Sequence, residues 1–175
     1  MAVPAADAAT TTGGVAPATA SPGEIGGTPY DPTPPAIVPA AGVAQLVAGK
    51  AYAPAGAPLA VRRAIRAGNK LQGKPYRYGG GHRSFKSDAY DCSGAVSFAL
   101  HGGRLLSAPI NSTSLMSWGA AGPGAWITVY ANAGHAYAVI AGLRLDTSGT
   151  GGRGPRWLTV PRSSTGFTAR HSAGL

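Results

Sequence analysis

The order of apolar and polar positions divides this chain into a quiet first third and a patterned remainder. Leu59, Val61, Ile65 and Leu71 recur near helical spacing while Arg62, Arg63, Arg66 and Lys70 occupy the other face, which predicts an amphipathic helix over 59–70 closing around Gly68 or Asn69. A second helix is predicted after Asp91, where Ala95, Val96, Phe98, Ala99 and Leu100 are apolar enough to enter a core and Asp91 is the natural N-cap. The polar connection from Gly102 to Gly124 carries one further short helix, Ser112 to Trp118. The period then drops to two. Trp126, Thr128 and Tyr130 alternate with Ile127 and Val129, Ala136 to Ile140 reads as a core strand, and Leu143 to Thr147 pairs back through a turn at Ala141-Gly142. A two-residue turn there sets Leu143 opposite Ile140 and Asp146 opposite Tyr137. Asp146 then lies diagonal to His135, at roughly 7 Å between backbones.

Composition explains why no such pattern precedes residue 59. Ala, Pro, Gly and Thr dominate up to that point, with Lys50 the only base and Asp7, Glu24 and Asp31 the only acids. So little bulky apolar surface does not offset the entropy of ordering a chain. Residues 1–58 are therefore predicted to be a disordered arm or linker, and 59–175 a domain. Pro32, Pro34 and Pro35 favour extended geometry, while Ile37, Val38 and the run Val43 to Val47 are placed to dock on the domain or form one short helix. Met1 to Ala20 lacks the basic start and unbroken apolar run of a secretion signal, and no stretch is read as a membrane span.

Charge changes the picture in one respect. From residue 60 onward there are 14 Lys and Arg against three acids, Asp88, Asp91 and Asp146, a balance of +11 in the domain against +9 for the chain. A polyanionic neighbour follows, either nucleic acid or an anionic envelope polymer. The bases are scattered and accompany no zinc or helix-turn-helix pattern, so specific nucleic-acid readout is not expected. Four dispersed histidines and one cysteine give no metal-ligand spacing, and neither a metal nor another cofactor is expected.

That single cysteine is where the chemistry gathers. Most lone thiols are small buried hydrophobes, but Cys92 follows Gly79-Gly80-Gly81, a polar loop and the capping Asp91. In the first turn of a helix a sulfur meets unpaired N–H groups and the positive end of the macrodipole, both of which favour the thiolate form. Such a nucleophile needs a base, and the base needs an orienting acceptor. His135, at the head of a strand, suits the first role and Asp146 the second, a Cys-His-Asp triad by role. His171 is the rival for either role, four residues from a C-terminus that is expected to fray. Tyr76 and, beside the nucleophile, Ser93 and Gly94 are candidate substrate contacts. Arg153, in the glycine-rich stretch Thr147 to Arg156, is a fourth, since a guanidinium fork suits a substrate carboxylate.

Pro75-Tyr76-Arg77-Tyr78-Gly79-Gly80, Asp91-Cys92-Ser93-Gly94 and Gly134-His135 before an apolar strand resemble the NlpC family of papain-like bacterial cell-wall cysteine peptidases. The resemblance covers residues 59–175. It implies an α+β papain-like fold in which the cysteine heads a helix packed on an antiparallel sheet that carries the histidine. It also implies hydrolysis of peptidoglycan stem peptides, typically between D-glutamate and the following diamino acid, by a monomeric enzyme outside the cell or on its wall. Cys92 matches the family's nucleophile, His135 its base and Tyr76 a tyrosine lining the site. Asp146 stands where relatives usually carry His, Asn or Gln, and Ala125 where many carry an acid. Two alternatives belong beside this reading: an amidase or acyltransferase using the same Cys-His pair, and a non-catalytic basic module that binds the wall.

Overall fold

A computed structural model describes residues 42–175. The expected signal-free start, the proline-rich stretch at 32–35 and Ile37-Val38 lie outside the described residues. The described chain runs β1 (Gln45–Val47), β2 (Lys50–Tyr52), α1 (Leu59–Lys70), α2 (Cys92–Gly102), α3 (Ser112–Leu115), β3 (Ala120–Ala121), β4 (Ile127–Ala131), β5 (Ala136–Ile140), β6 (Leu143–Asp146), β7 (Arg156–Leu158) and β8 (Thr168–His171). Six strands form one antiparallel sheet in the order β3-β8-β4-β5-β6-β7, and β1 and β2 form a separate hairpin.

The core lies where α1 and α2 meet the sheet. Val61 and Ile65 of α1 and Val96 and Leu100 of α2 pack with Ile127, Val129, Ala138, Ile140 and Leu145 of the central strands. Each such aliphatic side chain, once fully buried, contributes about 1.5–3 kcal/mol before the entropy of ordering it is subtracted. Helix α1 does not close at Gly68. The glycine is there because a Cβ would run into the Trp157 ring of β7, and the helix continues to Lys70. The β5–β6 register is the predicted one: Leu143 faces Ile140 across a turn in which Ala141 and Gly142 both take positive φ, 47° and 81°.

Of the two expectations for Val43 to Val47, docking on the domain or one short helix, the structure shows the docking. Gln45–Val47 is a strand, not a helix, and it turns at Ala48-Gly49 to pair with Lys50–Tyr52. The segment is packed on the rest: Ala44, Ala51 and Ala57 are buried, and Ala44 N–H donates to the Ala141 carbonyl at 2.8 Å. Asn69 of α1 brackets Ala51, its Oδ1 accepting from the Ala51 N–H and its Nδ2 donating to the Ala51 carbonyl, both at 2.8 Å. The same Oδ1 accepts from Trp157 Nε1 at 2.8 Å.

Candidate active site

Cys92 is the first residue of α2 and is half-buried. Asp91 caps the helix as predicted, its Oδ1 accepting from the Gly94 N–H at 2.8 Å. The carboxylate does more than cap. Its Oδ2 accepts from the Gly79 N–H at 3.0 Å, and His82 Nε2 lies 3.0 Å from both Asp91 Oδ1 and Ser93 Oγ. The glycine loop is thereby fastened to the start of the helix. Gly94 is required by the same contact, because a Cβ would occupy the position of the Gly80 carbonyl. Ser93 and Gly94, candidate substrate contacts by sequence, are buried. Their bonds go to Asp91 and His82, so what they support is the shape of the cysteine turn.

His135 enters from the β4–β5 hairpin. Asn132 closes that connection, its Oδ1 accepting from the N–H groups of Gly134 at 3.0 Å and His135 at 2.8 Å. The Asn-x-Gly-His run is a legible turn signal. His135 Nε2 bonds Asp146 Oδ1 at 2.9 Å, the diagonal contact that the strand register predicts. Nδ1 is then the ring nitrogen left for Cys92. No hydrogen bond of regular geometry joins the two side chains. Burial works against a charge on His135. The bond to Asp146 and the neighbouring Cys92 outweigh it and raise the imidazole pKa to about 9.

Asp146 is buried and richly supplied with donors. Besides His135, its Oδ1 accepts from the Ser148 N–H at 2.8 Å, and its Oδ2 accepts from Arg162 Nη1 at 3.2 Å. Arg144 Nε stands 3.5 Å from Oδ2, buried and without a hydrogen bond of its own. Burial alone would raise the carboxyl pKa, but the His135 and Ser148 bonds and the flanking cations hold it below the ordinary value. Arg162 is itself seated between two rings, 5.4 Å from the Tyr137 centroid and 5.2 Å from that of Phe167. Neither arginine was singled out by sequence. Arg144 is two residues from Asp146 on one strand face, a spacing that signals it, whereas Arg162 arrives from a loop 16 residues on and carries no local signal.

Tyr76 is placed beside Tyr90 by a parallel bridge, two residues before the cysteine, and is 44% exposed. Partial burial and the proximity of Cys92 and Asp91 raise its hydroxyl pKa. Gly154, at φ 80°, packs against the Lys74 carbonyl, which brings the glycine-rich loop alongside the Tyr76 segment. Arg153 in that loop is exposed, with its Nε bonded to the Thr150 carbonyl at 3.1 Å. His171 is not frayed: it sits in β8, and its Nδ1 bonds the Gly122 carbonyl at 3.0 Å. Its hydrogen bond is thus to neither His135 nor Cys92. Among the described residues no three or more His, Cys, Asp or Glu side chains gather as a metal site would require.

The sequence matches no model of a known protein family, and no curated protein matches it. Solved structures do match the fold. The peptidoglycan hydrolase RipB of Mycobacterium tuberculosis is similar at 23% identity and a TM-score of 0.50, over 64% of this chain and 64% of that one. The chain thus spans less than two thirds of RipB's length. The resuscitation promoting factor interacting protein RipA, in a form mutated at a cysteine, aligns at 22% identity and a TM-score of 0.48 over 74% of this chain and 72% of that one. The P60 domain of an antigen from M. avium subspecies paratuberculosis aligns at 21% identity and a TM-score of 0.47, over 63% and 93%. Helices packed on an antiparallel sheet, with the RipB likeness beside them, give this chain an α+β fold similar to that of RipB.

Proposed function

We propose that the chain is a cysteine peptidase that hydrolyses amide bonds of peptidoglycan stem peptides through Cys92, His135 and Asp146. The observation that carries this reading is the His135 Nε2–Asp146 Oδ1 bond of 2.9 Å, on a ring whose other nitrogen is left for a cysteine at a helix start. A histidine held by a buried carboxylate and charged up to about pH 9 is suited to pair with a thiolate.

The steps follow from that pairing. The Cys92 sulfur attacks the amide carbonyl carbon, and the oxygen that gains charge is met by the Cys92 N–H, a first-turn donor that the helix leaves without a partner. His135 gives its Nδ1 proton to the departing amine. It then takes a proton from water, whose oxygen attacks the thioester carbon and releases the acid and the thiolate, which restores the starting thiolate–imidazolium pair. Asp146 stays ionised and holds the ring. No cofactor enters these steps. Substrate class comes from RipB, a peptidoglycan hydrolase. The bond between D-glutamate and the diamino acid and a place outside the cell or in its wall complete the proposal, with Tyr76 at the edge of the site and Arg153 available to a substrate carboxylate.

The test is incubation of the protein with peptidoglycan and with released stem peptides, wild type beside Cys92→Ala, with mass spectrometry reading the new ends. Cleavage that disappears in the variant is expected. Cleavage that persists in it overturns the nucleophile, and a wild type that neither cleaves nor reacts with iodoacetamide makes the domain a binding module.

A further inference from the structure

The far end of the cysteine helix has a chemistry of its own. Where α2 ends, Gly102 packs so closely on Ala67 of α1 that a Cβ on the glycine would overlap the alanine methyl. These two small residues form the floor of a groove whose rim is Arg63, Arg66 and Lys70 of α1 and Arg104, just beyond α2. No acidic side chain lines it. None of the four bases makes a side-chain hydrogen bond or ion pair with another described residue, a condition shared by Lys50, Arg62, Lys74, Arg77, Arg83 and Lys86, whereas Arg144, Arg153, Arg156, Arg162 and Arg170 each make one.

Two features of this groove run against stability. Arg63, Arg66 and Lys70 are three and four residues apart, so like charges stack on one stripe of α1 and repel one another. Arg104 holds a left-handed backbone, φ 62°, a conformation that glycine adopts freely and an arginine does not. The repulsion is relieved if the groove holds an anion, while the Arg104 φ belongs to the helix end, where Arg104 N–H donates to the His101 carbonyl and Leu105 N–H to the Leu100 carbonyl, both at 2.9 Å.

We propose that this groove is a second binding site, for the phosphate groups of a phosphodiester wall polymer, at the opposite end of α2 from Cys92. It rests on the reading of the chain as a wall enzyme. Three of the four bases are arginines, whose planar fork matches paired phosphate oxygens. Arg63 and Lys70 are seven residues apart, about 10 Å along the helix, a span that suits successive charges of one chain. No aromatic side chain lines the groove, so nothing there stacks a nucleobase, and a base-free polymer fits better than single-stranded nucleic acid. The 11 residues of α2 set the groove about 15 Å from the thiol. A polymer held there raises the local concentration of attached stem peptides at Cys92 without touching the reacting atoms.

The experiment measures binding of the full chain to fluorescent poly(glycerol phosphate) by anisotropy at low salt. It compares wild type with Arg63→Gln/Arg66→Gln/Lys70→Gln, with Arg104→Gly, and with Arg77→Gln/Arg83→Gln/Lys86→Gln, a control of equal charge change on another loop. The α1 triple variant is expected to bind about tenfold or more weakly, and to flatten the salt dependence. Arg104→Gly is expected to bind more weakly while melting no lower than wild type, because glycine accepts that φ. Equal losses in the groove and control variants, or tighter binding of single-stranded DNA of equal phosphate number, overturn the proposal. Hydrolysis of a small soluble stem peptide is expected to be unchanged in the groove variants. A protein that binds the polymer through these residues but hydrolyses nothing would keep the groove and discard the peptidase; hydrolysis with groove-independent binding would do the reverse.

Discussion

The described residues include two buried aspartates, each bonded to a histidine Nε2 at nearly the same length, Asp91–His82 at 3.0 Å and Asp146–His135 at 2.9 Å. By distance alone they are the same device. Their remaining bonds separate them. Asp91 spends its oxygens on backbone N–H groups, those of Gly79 and Gly94, and its histidine also reaches Ser93. Asp146 is surrounded by cations, and its histidine keeps a nitrogen for the thiol. A carboxylate tied to backbone fixes a fold, while one tied to side-chain cations sets the charge state of a neighbour. The first pair shapes the turn that presents the cysteine, and in the proposed reaction the second supplies its proton chemistry.

Substitutions should pull the two pairs apart. The largest effect is expected of His135→Ala, which should lower stem-peptide hydrolysis by about 10³-fold, against a few-fold for His82→Ala, in initial rates at pH 7. Asp146→Ala, which removes the acceptor altogether, should cost about 10²-fold in kcat with little change in KM, and should bring the His135 pKa down from about 9, read by NMR of the ring proton. An unchanged pKa would mean that Asp146 does not govern the ring.

Asp91→Ala should act on stability instead. It removes a helix cap and the Gly79 anchor together, and urea unfolding should show a loss of about 1–3 kcal/mol. A further effect is one of pH. His135 is raised above its unfolded value of about 6.5, so the stability it contributes is fully present below that pH and is lost as pH rises through about 9. The stability gap between wild type and His135→Ala should therefore be wider at pH 6 than at pH 9.5, by urea unfolding.

Much of this was legible because the relevant residues carry strong local signals. Asp91 before an apolar helix, the alternation of β4 and the Ala141-Gly142 turn fix the cap, the strands and the register, and the register alone brings Asp146 to His135. The hairpin at 45–52 uses the same Ala-Gly turn, with Ala48 and Gly49 both at positive φ, 47° and 77°. It was missed because its flanks are three-residue strands of mixed polarity rather than an apolar run like Ala136–Ile140. Strand β8, Thr-Ala-Arg-His, has no hydrophobic alternation at all. It is a strand because β4 and β3 supply backbone partners on both sides, information that lies some 40 to 50 residues away in the chain. Arg162 escaped for the same reason.

The bracket made by Asn69 has a practical side. One amide joins the hairpin at Ala51, helix α1 and the Trp157 indole, so these three parts come from the two extremes of the described chain and share a single fastening. A version trimmed to begin at Leu59 would unbutton it, freeing the Asn69 amide and uncovering the side of α1 that Ala51 closes. Such a version should be cut by proteases first around Trp157, far in sequence from the missing piece. The early segment behaves as a buckle worn by the domain rather than a leash it trails.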